Sequence, residues 1–66
     1  SELFFTNPTS KIIKFSIDTN SYILKPGHSK LINISNKDII HIKSNCLFLR
    51  PTVFSYKDTY LDVHHS

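Results

Sequence analysis

Groups of Asn, Asp, Ser, Pro or Gly cut this chain into short apolar runs, and the turn signals recur at roughly 8–12-residue intervals, the rhythm of small β-sandwiches and barrels. That punctuation constrains the fold most, because no stretch shows helical spacing without an equally good strand reading. Residues 2–6 form the first expected strand, closed by Asn7-Pro8-Thr9-Ser10, where proline fixes φ and Asn7 can bond locally. In 11–17, Ile13, Phe15 and Ile17 point to one side while Ile12, Lys14 and Ser16 point to the other. Asp18-Thr19-Asn20 is of hairpin length and leads into 21–24, and Lys25-Pro26-Gly27 has the composition of a type II turn. Further strands are expected at 30–34, 39–43 and 46–50. Pro51 marks an edge or a bend, and 53–56 with 60–63 form a last hairpin around Lys57-Asp58-Thr59. The tail 63–66 is expected to fray.

Composition points the same way. The chain lacks Ala, Gln, Met and Trp, and Glu2 is its only glutamate, so several of the best helix formers are missing. Ile, Phe, Tyr, Thr and Val, which suit a pleated and half-buried surface, are plentiful. The expected fold is all-β: a small antiparallel β-sandwich or barrel of six to eight short strands, as one domain over 1–66.

A domain of this size buries only about 60% of the surface of its unfolded chain, so its own core is marginal. Cys46 is the only cysteine, which excludes an internal disulfide, and His and Cys do not recur at zinc-finger spacing. Association, or unusually good packing, is left to supply the remaining stability. No apolar run approaches the roughly 20 residues of a membrane-spanning helix, so no membrane partner is expected. A lone free thiol suits a reducing compartment.

Catalytic chemistry finds little support. Gly27 is the only glycine, so there is neither a Gly-x-Ser-x-Gly elbow nor a phosphate-cradling loop. Cys46 stands in an apolar run, where a buried, inert thiol is expected. The histidines are spread: His28 in a turn, His41 on a strand surface, and His64-His65 solvated at the end. Cupin-type metal sites need a His-x-His pair with a downstream Glu, and both are missing. We therefore expect no enzyme, with no catalytic, cofactor-binding or metal-binding residues and no cofactor.

Two surface properties bear on partners. The net charge is +3, and Tyr22, Tyr56, Tyr60, Phe48 and Phe54 are aromatics that could stack on bases, as in OB-like barrels that bind single strands. Against that, the lysines stand singly rather than clustered, which is the habit of a solvated face. Several strands are apolar on both faces: Leu3, Phe4, Phe5; Ile12, Ile13; Tyr22, Ile23, Leu24; Leu31, Ile32; Ile39, Ile40; Leu47, Phe48, Leu49. A strand of that kind calls for cover on its second face, by another copy or another protein.

The stretch Phe5-Thr6-Asn7-Pro8-Thr9, then Phe15, then Tyr22-Ile23-Leu24-Lys25-Pro26-Gly27-His28-Ser29 resembles a pattern of small tailed-bacteriophage virion proteins. There an N-P-T turn precedes a short hairpin and a Y-x-L-x-P-G-x-S turn, in β-modules that decorate heads or sit in tails. The same stretch is similar to the start of immunoglobulin-like domains of the major-sperm-protein and pilus-chaperone kind, whose full seven strands 66 residues are expected to be too few to supply. The likeness covers about the first half of the chain, and no functional residue carries over, since such modules act through surfaces. It implies a non-enzymatic structural protein: a capsid decoration or auxiliary protein, or a tail or connector part. Its partners would be a larger virion structural protein, copies of itself, or both, and its place the virion, or otherwise the cytoplasm. The alternatives are a small single-strand nucleic-acid-binding barrel and a phage-encoded inhibitor of a host protein.

Overall fold

In the computed structural model, residues 2–35, 39–46, 49–54 and 60–65 are described. All regular structure among them is β: β1 (Glu2–Thr6), β2 (Ile13–Ile17), β3 (Asn20–Leu24), β4 (Ser29–Asn33), β5 (Ile39–Ser44), β6 (Thr52–Phe54) and β7 (Tyr60–His65). They form two sheets, one of three strands in the order β4-β1-β6 and one of four in the order β3-β2-β5-β7. The sheets are separate hydrogen-bonded ladders with one apolar layer between them, so the fold is sandwich-like rather than a closed barrel. Seven strands do fit, because each is only three to six residues long.

Side-chain alternation sets the core. Leu3 and Phe5 of β1 are fully buried, and Ile13, Phe15 and Ile17 of β2 face them together with Leu24, Ile40 and Ile42. The Phe5 and Phe15 rings stack at 4.5 Å between centroids, and Phe15 stacks in turn on Tyr22 at 5.3 Å. Lys30 of β4 lays its ammonium 5.6 Å from the Tyr22 ring centre, bridging the two sheets along the side where β3 and β4 are the edge strands.

The local turns follow the sequence. β2 and β3 are a hairpin whose two-residue loop, Asp18-Thr19, puts Asp18 at φ 51°. Gly27 sits at φ 73°, and the His28 N–H donates to the Lys25 carbonyl at 3.1 Å, closing the type II turn. Asn7 is completely buried and binds these two halves of the motif together. Its Nδ2 donates to the Lys11 and Leu24 carbonyls at 2.7 and 2.9 Å. Its Oδ1 accepts from the Thr9 N–H and hydroxyl at 2.9 and 2.6 Å. Its main chain donates to the His28 carbonyl and accepts from the Gly27 N–H. Both side-chain donors and both acceptor lone pairs are in use.

Three expectations need correction. The first concerns 53–56 and 60–63, which do not pair as a hairpin. β6 pairs antiparallel with β1, whereas β7 crosses to the other sheet and runs parallel to β5. The parallel register sets Leu61 and Val63 beside Ile40 and Ile42, which extends the apolar layer. The residues 57–59 proposed as the turn lie outside the described ones. Second, 46–50 contains no described strand. The Asn45 side chain accepts from Lys14 N–H and its main-chain N–H donates to the Lys14 carbonyl, which ends the β2–β5 ladder. The Ser44 hydroxyl accepts from Cys46 N–H, and the chain turns so that Leu49 plugs the core while Cys46 lies half-buried and free. Residues 47 and 48 are outside the described set. Third, the tail does not fray at 63, since β7 continues through His65 beside Ser44.

Candidate functional site

The four-stranded sheet presents an outer face whose character follows from the same alternation. With Ile40, Ile42, Leu61 and Val63 turned to the core, β5 shows Ile39, His41 and Lys43 outward and β7 shows Tyr60, Asp62 and His64. The parallel register places His41 beside Asp62, Ile39 beside Tyr60 and Lys43 beside His64.

His41 is held in place from the β2 side. Its carbonyl accepts from the Asp18 N–H at 2.8 Å, and its N–H donates to Asp18 Oδ1 at 3.3 Å. Its ring meets Asp62, with Nδ1 and Oδ2 3.0 Å apart. His64 Nε2 is 3.0 Å from the same Oδ2. One carboxylate oxygen thus joins two imidazoles from two strands, and both rings remain well exposed. The hydrogen bond from His64, foremost, and then the charge of His64 and the bond from His41 hold Asp62 below its ordinary carboxylate pKa, with desolvation opposing them.

Beside this cluster, Lys14, Ser16, Ser21, Ile23, Lys43 and Asn45 line an open hollow of about 410 Å³. Apolar residues stand around the polar centre of the sheet face: Ile23 at 61% exposure on one flank, Ile39 at 48% and Tyr60 at 65% on the other. On the three-stranded sheet, Leu31 is 56% exposed next to Phe4.

His41 and His28 are surface residues as the sequence suggests. The terminal pair is not uniformly solvated: His65 is half-buried, and its Nε2 has no hydrogen-bond partner among the described residues. Sequence reasoning missed the meeting of His41, Asp62 and His64. The available trace was Asp62-x-His64, two side chains on one strand face, but their partner strand was not legible. The chain matches no family model, no curated protein and no solved structure.

Proposed function

We propose that this chain is a non-enzymatic assembly module that docks through its outer sheet faces. The observation that carries the reading is the paired exposure of Ile39 and Tyr60, neighbours in register at one end of the β5–β7 pair. Leu31 on the opposite sheet and Ile23 on the far flank extend apolar character to both outsides of the sandwich. A polar centre with a greasy rim suits a surface covered by protein, where burial stabilises at about 25 cal/mol per Å² before the costs of association. The proposed partners are a larger virion structural protein, further copies of this chain, or both, and the resemblance in the Asn7-Pro8-Thr9 and Pro26-Gly27 segments points to a capsid decoration, auxiliary or tail role.

Sedimentation velocity over a range of concentrations tests self-association, and mass spectrometry of purified virus particles from the source organism tests incorporation. Concentration-dependent association that Ile39→Ser with Tyr60→Ser abolishes, or recovery of the chain from particles, supports the reading. A strict monomer absent from particles overturns it and favours an inhibitor of a single target. A second reading, single-stranded nucleic-acid binding, draws on Lys14 and Lys43 flanking the hollow. It predicts affinity for an oligonucleotide that falls steeply with salt and weakens in Lys14→Ala with Lys43→Ala.

A further inference from the structure

We propose that His41, Asp62 and His64 form a surface site for one divalent zinc ion, which clips β7 to β5. The three donor atoms, one from each residue, lie within 4.8 Å of one another, and Asp62 Oδ2 is 3.0 Å from each ring nitrogen. Zinc bonds of about 2.0–2.1 Å in a tetrahedral arrangement separate neighbouring ligand atoms by roughly 3.3–3.4 Å. The two 3.0 Å pairs open by a few tenths of an ångström, and the two imidazole nitrogens, within 4.8 Å of one another, close by up to about 1.4 Å, a movement that rotation of the exposed rings supplies.

Strand geometry explains why these atoms converge. Adjacent strands lie about 4.8 Å apart, so His41, directly beside Asp62, reaches it with Nδ1, the nitrogen nearer its own backbone. Residues two apart on a strand are separated by about 6.6 Å, so His64 needs its far nitrogen, Nε2. Each histidine uses the atom suited to its distance. The main chain of His41 is also fixed by its two bonds to Asp18.

The donor set selects the ion. Two imidazoles and one carboxylate suit zinc and its first-row neighbours, whereas magnesium and calcium want oxygen alone. Both rings are 59% exposed, so water has access to a fourth position. Lys43, beside His64 on the same face, puts a positive charge near the cation and weakens the site.

The clip also has a place to act. Among the described strands, β7 is an edge strand that pairs with β5 alone, and it follows β6 of the other sheet in the chain. Small domains commonly need a staple, and the lone Cys46 cannot make one. An ion bound only by the folded chain raises its melting temperature by mass action.

The test is calorimetric titration of the full chain with zinc chloride, with cobalt(II) absorption reporting nitrogen–oxygen coordination and a thermal melt with and without zinc. One equivalent should bind, raise Tm, and be weakened at least about tenfold by His41→Ala and by Asp62→Asn, with His28→Ala unaffected. Lys43→Ala should tighten it. Failure of stoichiometric binding overturns the proposal. So does binding that survives His41→Ala, because the adjacent His64-His65 pair would then account for it. Should His41→Ala unfold, Asp62→Asn, which keeps the side chain's shape, decides in the same two directions.

Discussion

The protein contains two polar constellations built from similar parts, one around Asn7 and one around Asp62, and they are disposed in opposite ways. Asn7 is sealed under the β1–β2 turn, and every donor and acceptor of its side chain is met by Thr9, Lys11 or Leu24. Asp62 stands on an outer face, and the histidines it joins keep ring atoms turned to water. In the first, all hydrogen-bonding capacity is consumed within the chain, so the cluster can only hold structure. In the second, capacity is left over, and capacity left over can be offered to something outside. The difference separates the motif that defines the fold from the group that can act.

Substitution should expose that contrast, beginning with Asn7. Asn7→Ala takes a donor from the buried Leu24 carbonyl and one of two from the Lys11 carbonyl, and should cost about 3 kcal/mol, read from urea unfolding. A loss below about 0.5 kcal/mol would mean that the cluster around Asn7 is as dispensable as an ordinary surface contact. Thr9→Ala, on the rim of the same cluster, removes the hydroxyl bonds to Asn7 and Lys11 and should cost about 1 kcal/mol. Gly27→Ala should cost a similar amount, about 1 kcal/mol, from positive φ alone. Beyond Gly27 and its two chain neighbours, no described atom lies within 4 Å of the position a Cβ would take there, so a larger loss would signal a clash that the structure does not contain.

The smallest effect belongs to the exposed cluster. The folded protein holds Asp62 below its ordinary pKa of 3.8, so its ionisation favours folding above that value, and the benefit disappears as pH falls through the folded pKa. Metal-free Asp62→Asn should therefore be slightly less stable than the parent at pH 6, with the gap closing at pH 2. Urea midpoints at the two pH values check this, and a gap that widens in acid would reverse the sign assigned to the cluster.

Much of the fold was legible because its signals are local. Pro26-Gly27 announced its turn, Asp18-Thr19-Asn20 its hairpin (although Asn20 already belongs to β3), and the alternation of Ile13, Phe15 and Ile17 its buried side. Partner choice was not legible. Alternation tells a strand which face to bury but not which strand to lie beside, so β6 and β7 read as a hairpin although they belong to different sheets. The cluster was hidden for the same reason, since His41 and Asp62 meet only through a parallel pairing that no turn residue encodes.

The order β4-β1-β6 has a kinetic consequence. β1 (Glu2–Thr6) finds its neighbours at Ser29–Asn33 and Thr52–Phe54, so among the described residues no ladder in its sheet joins strands adjacent along the chain. β2 and β3, by contrast, close through a loop of two residues. Loop-closure entropy then favours the β2–β3 hairpin as the earliest ordered element, with β1 waiting for distant segments. The short sheet should therefore order late, and refolding should be slow for a chain of this length.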